Sequence, residues 1–355
     1  MARVFHPLGV ADIRRETDDT VSLALDVPAA LTETFRFAPG QFLTFRVAGR
    51  DGKPVNRSYS ICSALDDGEL RIVVKRLAGG IFGERAHTTM KVGDKLDTLA
   101  PLGRFTVPID PAHRKSYLFL ASGSGIAPVM SLLRSLLEHE PGSRCTLVYG
   151  NRGAGSVIFR DALHDLKDRY LGRLQVIHIF SREDQATPLL NGRINADKLR
   201  ALGKELIDIP SYDEAFACGP EPMTLDVRDA LIELGVPADH VHLELYGSHV
   251  QRTQKPVHHD NEETVKLDVV LGGIRRTIDG HRDETVLDAA SAAGLEVPFS
   301  CTGGVCATCR ARIVDGSVEM AVNYALEPWE LDAGFVLTCQ SRPTTPAVTI
   351  DYDAV

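Results

Sequence analysis

The sequence predicts a multidomain protein: an antiparallel β-barrel, then an α/β domain built on a parallel sheet, then a small α+β domain. Three observations carry this reading. Over residues 1–110, short stretches of strand-like alternation are broken by turn residues. Over 111–246, apolar runs alternate with stretches of helical spacing. After a polar, aperiodic linker at 247–264, a hairpin pattern and a helical pattern at 265–355 enclose a cysteine-rich loop.

The chain has 355 residues, enough for two or three domains at roughly 100–200 residues each. With 44% hydrophobic and 25% charged residues it can bury a sizeable core. A net charge of −9 argues against a nucleic-acid partner, which calls for a basic face. No run approaches the roughly 20 apolar residues of a membrane span. The start, MARVFHPLGV, lacks the apolar stretch of a signal peptide. A cytoplasmic protein with no membrane partner is therefore expected. Seven cysteines, an odd number in a reducing setting, suit metal ligands or catalytic groups better than a disulfide framework.

In the first segment, TVSLALDV, GQFLTFRVAG, VNRSYSIC and ELRIVVKRL read as strands, with APG, DG and DDG as turns. Strands this short and this closely spaced suit a small antiparallel barrel. Arg57–Ser60, RSYS, ends one of them. On its own, an Arg beside an aromatic and two hydroxyls fits a surface strand as well as a ligand site. Two glycine-bearing stretches follow it: VVKRLAGGIFGERA (73–86), with Gly79, Gly80 and Gly83 around Phe82, and APLGRF (100–105).

The second segment alternates YLFLAS, CTLVYG, LQVIHIF and EAFACG with helical stretches such as VMSLLRSLLEHE, SVIFRDALHDLKDRY and MTLDVRDALIELG. SGSGIAP, Ser122 to Pro128, falls between a strand and a helix. Glycines there let backbone approach a phosphate at a helix N-terminus, although many tight turns share the pattern. Ser181 and Arg182 in FSRE follow an apolar run, and Arg152 and Arg193 are further cations. Guanidinium groups engage phosphate in bidentate fashion, yet each also fits an ordinary surface Arg. Glu183, next to Arg182, points the other way, because a carboxylate on the ribose 2′-OH favours NADH. Cys218 in ACGPEPM fits a buried apolar cysteine. Glu244 to Tyr246, ELY, closes the segment.

In the third segment VKLDVVL and RRTIDG read as a hairpin and ETVLDAASAAG as a helix. The loop CTGGVCATC, with Cys339 further on, has the C-x4-C-x2-C…C spacing of a plant-type [2Fe–2S] cluster. Gly303 and Gly304 let the backbone curl so that N–H groups face sulfur. Structural zinc, which favours two short cysteine pairs, and inert buried thiols are the alternatives. Residues 265–355 hold 7 Lys+Arg against 13 Asp+Glu, a net charge of −6. That suits either a solvated face or an acidic surface steering a partner protein.

PFSCTGGVCATCRARIVDGSVEM and LEPWELDAGFVLTCQSRP resemble plant-type ferredoxins, which implies a β-grasp fold and a [2Fe–2S] cluster on Cys301, Cys306, Cys309 and Cys339. RSYS, the glycine stretch and APLGRF resemble the flavin domain of the ferredoxin–NADP reductase family. This implies Arg57 on the FAD pyrophosphate, Tyr59 against the isoalloxazine and Ser60 near its N5. Backbone N–H groups of Gly80, Ile81, Phe82 and Gly83 would meet the pyrophosphate, with Ser58 and Lys75 nearby. Many relatives have Ser or Thr where Gly83 stands, so one hydroxyl contact is missing. The G-x-G-x-x-P form implies nucleotide contacts from Gly123, Ser124, Gly125, Ile126 and Pro128. Ser181, Arg182, Arg152 and Arg193 would favour NADPH over NADH. Cys218 and Gly219 would sit where nicotinamide meets flavin. Ser60, Cys218, Glu244 and Tyr246 form the implied catalytic set, Tyr246 covering the flavin.

The order of barrel, nucleotide domain and C-terminal ferredoxin resembles oxygenase reductases. It implies electron flow from NADPH through FAD and [2Fe–2S] to the oxygenase component of a multicomponent monooxygenase. The acceptor so implied is a di-iron enzyme acting on an aromatic CoA thioester. A Rieske-type oxygenase such as a ketosteroid hydroxylase is the alternative, and a non-catalytic redox sensor is the alternative of another class.

Overall fold

A computed structural model describes residues 4–50, 52, 54–245, 264–299 and 301–354. The linker expected at 247–264 falls outside these, except for Thr264, which begins a strand. The barrel and the parallel-sheet domain pack as one compact unit; the C-terminal domain belongs to a second, which also takes in residues 54–58.

The barrel strands are β1 (His6–Thr17), β2 (Thr20–Asp26), β3 (Phe42–Ala48), β4 (Pro54–Ser60), β5 (Leu70–Lys75) and β6 (Lys95–Thr98). They run in the order β4-β3-β6-β1-β2-β5. Ile61, just past β4, bridges Ile72 in β5, so the two edges meet and the sheet closes. Closure removes exposed strand edges. Leu8, Leu23, Phe45, Ile72 and Leu96 fill the interior. Helix α1 (Ile81–Thr88) follows β5, a helix that the glycine-rich sequence there does not announce.

The second domain holds β7 (Ser116–Ser122), α2 (Ile126–His139), β8 (Arg144–Asn151), α3 (Arg160–Arg169), β9 (Leu174–Phe180), α4 (Ala196–Glu205), β10 (Glu214–Gly219), α5 (Glu221–Glu233) and β11 (Val241–Leu245). All the strands are parallel, in the order β11-β10-β7-β8-β9. Strand order reverses about β7, so a crevice opens at the carboxyl ends of β7 and β10. The helix expected from Ser156 onward begins only at Arg160, because Phe159 takes a left-handed φ of 61° and breaks the turn.

The barrel and this sheet share one apolar core. Cys62, Val73 and Phe105 of the barrel side pack with Ile126, Val129, Phe119 and Phe216. The polar face of α2 adds directional contacts. Ser131 Oγ donates to the Ser63 carbonyl at 2.5 Å, and Arg134 grips Asp67 through both oxygens at 2.6 and 2.5 Å. A bidentate pair of this kind fixes geometry as well as adding energy.

The C-terminal domain has β12 (Thr264–Leu271), β13 (Ile274–His281), α6 (Val286–Ala292), β14 (Arg310–Asp315), β15 (Val318–Met320), α7 (Pro328–Asp332), β16 (Phe335–Leu337), β17 (Ser341–Pro343) and β18 (Ala347–Asp351). The main sheet runs β13-β12-β18-β14-β16, mixing a parallel β12–β18 pair with antiparallel ones. Val286, Leu287 and Ala290 of α6 pack on its apolar face, giving a β-grasp.

At the amino end of β10, opposite the crevice, the nearly buried Glu214 accepts from Lys115 Nζ at 2.7 Å and pairs with His242 Nε2 at 2.9 Å. Burial alone would raise this carboxyl; the bonds to His242 and Lys115 outweigh it and hold it down at about 2. A depressed acid contributes stability that is complete above its unfolded value near 4.5 and is lost as pH falls toward 2. Glu214→Gln is expected to cost about 1–3 kcal/mol at neutral pH. Thermal melts of the variant and parent should converge as pH drops from 5 toward 2.

Candidate functional site

The crevice is built from two turns. After β7, Gly123 adopts φ +55°, and Gly123–Gly125 form a short turn that runs into α2. A Cβ on Gly125 would lie 2.1 Å from the Cys218 carbonyl oxygen, so only glycine lets this turn press against the end of β10. On the other side, a Cβ on Gly219 would meet Met223 and Ser122 at 2.9 and 3.1 Å. Tyr149 Oη of β8 donates to the Gly123 carbonyl at 2.9 Å and braces the loop. Ser124 is half-buried, while Ile126 and Pro128 face the core in the first turn of α2. Cys218 is fully buried among the same apolar side chains as Phe216 and Ile126, and its carbonyl meets the turn.

Beside this lies the end of β4. Ser60 Oγ donates to Glu244 Oε1 at 2.6 Å, linking the barrel to β11 across 184 positions of sequence. Glu244 Oε2 is shielded from water and has no hydrogen-bond partner among the described residues. Burial pushes this carboxyl up to about 7, with the Ser60 hydroxyl pulling the other way. Such a group exchanges a proton near neutral pH. Tyr59, half-buried, sits 4.8 Å from the Phe82 ring and 6.2 Å from Phe45. Ser58 is half-buried; Arg57 is exposed and its Nη1 donates to the Asn56 carbonyl at 2.7 Å. Tyr246 lies outside the described residues.

Gly80 caps α1, whose first amides at Ile81, Phe82 and Gly83 have no intrahelical acceptor and form an anion-favouring end. Gly83 has a steric reason of its own: a Cβ there would stand 3.1 Å from the Lys75 carbonyl oxygen. A Ser or Thr side chain there would crowd the end of β5.

Arg152, Ser181 and Arg182 share the carboxyl edge of β8 and β9, with Arg182 N–H donating to the Arg152 carbonyl at 2.9 Å. Arg193 is exposed in the loop where Gly192 N–H bonds the Phe180 carbonyl at the end of β9. Glu183 Oε2 accepts the Ala154 N–H at 2.8 Å and closes the Gly153–Ser156 turn. Lys75 and Arg152 are both paired with Asp19, at 3.3 and 2.7 Å, a contact that no local pattern in the sequence signals.

In the C-terminal domain the four cysteines fall in two places. The Cys301 N–H donates to Cys306 sulfur, and Cys309 and Cys339 flank the paired strands β14 and β16. Register explains the second place: Arg310 opposes Leu337, so Cys309 meets Thr338 and Cys339 as β16 ends. Thr338 Oγ1 fastens the Cys309 carbonyl at 2.9 Å and is itself held by Tyr352 at 2.9 Å. Thr302, Gly304 and Ala307 all take positive φ, coiling the loop so that Gly303 N–H points at Cys301 sulfur and Cys301 N–H at Cys306 sulfur, each at 3.4 Å. The Cys306 thiol and the backbone amides of Gly303, Val305 and Cys306 draw Cys301 down to about 6. The spacing of these cysteines and the N–H groups aimed at Cys301 and Cys306 sulfur suit a [2Fe–2S] centre. Neighbouring hydrogen bonds of this kind tune such a centre. The glycine-lined crevice and the shielded Glu244 oxygen likewise fit a flavin and a dinucleotide.

Three domain signatures match the chain: an oxidoreductase FAD-binding domain at residues 7–107, an oxidoreductase NAD-binding domain at 119–229 and a 2Fe-2S iron-sulfur cluster binding domain at 269–344. The chain is 43% identical to a component of the 1,2-phenylacetyl-CoA epoxidase of Escherichia coli, over 99% of this chain and 98% of that protein. It is 38% identical to the ferredoxin reductase component of 3-ketosteroid-9-alpha-monooxygenase of Mycobacterium tuberculosis, over 98% and 95%. Phthalate dioxygenase reductase shares the fold at TM-score 0.55 and 22% identity, over 98% of both chains. An intact type IV self-sufficient cytochrome P450 monooxygenase also shares it, at TM-score 0.69 and 23% identity; this chain spans 41% of that longer protein. No helix among the described residues is long and apolar enough to cross a membrane.

A raised acid favours folding when protonated, so the Glu244 contribution weakens as pH climbs from 4.5 through about 7. Glu244→Gln is expected to stabilise the flavin-free protein by about 1–2 kcal/mol at pH 8 and to leave it nearly unchanged at pH 5, read from thermal melts.

Proposed function

This chain belongs to the family of oxygenase reductases built from FAD-binding, NAD-binding and 2Fe-2S domains; from that premise we propose that it carries electrons from NADPH to the di-iron oxygenase of a phenylacetyl-CoA epoxidase, in phenylacetate catabolism. The observation behind the choice of acceptor is the 43% identity to the epoxidase component over nearly the full chain. A second reading, service to a Rieske-type ketosteroid oxygenase, is supported by the 38% identity to that reductase component.

FAD held in the barrel would supply the conversion of a two-electron donor into one-electron steps, and a plant-type cluster held by the four cysteines would supply a one-electron acceptor near roughly −400 mV. Arg57, with Ser58, Lys75 and the open amides of α1, binds and neutralises the flavin pyrophosphate. Tyr59, propped on Phe82, lies against the flavin ring. Ser60 and Glu244 hold a proton beside the ring edge, and the Glu244 carboxyl exchanges it at neutral pH. The Gly123–Pro128 turn and the Cys218–Gly219 turn seat the nicotinamide dinucleotide, and Tyr246 shields the flavin until it arrives. Arg182, with Ser181, Arg152 and Arg193, engages the 2′-phosphate, and Glu183 beside them is held against the Ala154 amide. Cys301, Cys306, Cys309 and Cys339 hold the cluster.

The deciding experiment reconstitutes the cofactor-loaded chain with each oxygenase and follows NADPH-dependent product. Turnover of phenylacetyl-CoA supports the acceptor named here; turnover only with the ketosteroid oxygenase overturns it. Two substitutions probe the wiring. Cys306→Ser is expected to abolish the cluster's visible absorbance and delivery to the oxygenase while flavin-linked ferricyanide reduction survives. Arg182→Ala is expected to weaken NADPH binding by about 1–3 kcal/mol and to spare NADH, measured as KM for each.

A further inference from the structure

We propose that Asp19 competes with the bound dinucleotide for Arg152, and so sets how tightly NADP(H) is held. The inference rests on reading Arg152 as a dinucleotide ligand.

Asp19 stands in the turn between β1 and β2, and its two carboxylate oxygens do different work. Oδ1 accepts from Thr17 Oγ1 and Thr20 Oγ1, each at 3.0 Å, and pairs with Lys75 Nζ at 3.3 Å. The Asp19 carbonyl accepts the Arg76 N–H at 2.7 Å. One side of the residue is therefore fastened to the barrel. Oδ2 faces Arg152 Nη2 at 2.7 Å. Arg152 comes from the other domain, directly after β8, on the carboxyl edge where its carbonyl also accepts the Arg182 N–H.

The pair is short but open to water: the Arg152 side chain is 51% exposed and that of Asp19 28%. An ion pair in that setting adds little to folding. Its cations have a second claim on them, since Arg152 lies on the phosphate-facing edge and Lys75 borders α1. Exchange is cheap in geometric terms. When Arg152 turns to a phosphate, Oδ1 keeps its three donors and Oδ2 takes up water. A dianion approaching Arg152 also meets the negative charge of Asp19, which opposes it until the guanidinium has moved.

The test is calorimetric titration of the FAD-loaded full-length protein with NADP+ and with NAD+. Asp19→Asn keeps an acceptor for Thr17 and Thr20 but removes the charge and the acceptor facing Arg152. NADP+ should then bind about three- to fivefold more tightly, the scale of one partly exposed ion pair. In the Arg152→Ala background the same substitution should change nothing, which a purely structural role for Asp19 would not produce. Tightening of NADP+ alone places Arg152 on the 2′-phosphate; equal tightening of NAD+ places it on the pyrophosphate; both uphold the competition. Unchanged or weaker NADP+ binding by Asp19→Asn overturns it, as does an equal effect in the Arg152→Ala background. Arg152→Ala alone leaving NADP+ affinity unaltered would sink the reading of Arg152 itself. Should Asp19→Asn not fold, Asp19→Ser, which also keeps an acceptor hydroxyl, carries the same expectation.

Discussion

The hydrogen bond from Ser60 to Glu244 joins the end of a barrel strand to the last strand of the parallel sheet. It has meaning only because the two domains cannot drift apart. Their shared apolar core fixes the separation, and the Arg134–Asp67 and Ser131–Ser63 contacts fix the angle. Within that frame one Glu244 oxygen is satisfied and the other is sealed from water. A carboxyl so placed stays poised between its two protonation states near neutral pH.

The crevice beside it follows from topology. Strand order reverses at β7, so two turns meet at neighbouring carboxyl ends, and glycine at 125 lets them touch. Arg152, Ser181 and Arg182 gather on the same edge because β8 and β9 end there. Two acidic residues nearby have partners within the protein: Glu183 closes a turn and Asp19 pairs with two cations. Stability is supplied elsewhere, at the opposite end of the sheet, where Glu214 is bound by Lys115 and His242.

What could be read from the sequence was local. The cysteine spacing, the SGSGIAP turn and the alternation of strands and helices are short-range patterns, and each describes the element found there. Long-range partners were not legible. Ser60 and Glu244 come together only through packing, Asp19 is an ordinary turn residue by sequence, and the meeting of Cys309 with Cys339 depends on strand register. Helix α1 was hidden because Gly83 within it and Gly79 and Gly80 before it lower helix propensity, while a side chain at 83 would press on the Lys75 carbonyl. Cys218 stands out in the sequence for its thiol, yet its carbonyl is what shapes the turn. The adjacent Glu183 has the look of a ribose ligand in the sequence, and its bond to the Ala154 amide was not legible there.

The most direct measurement is the rate of flavin bleaching by NADPH, followed by anaerobic rapid mixing across pH values of about 5 to 9. An inflection near 7 is expected in the parent protein, where the Glu244 carboxyl exchanges its proton, and should disappear in Glu244→Gln. The same inflection in both proteins would contradict that expectation.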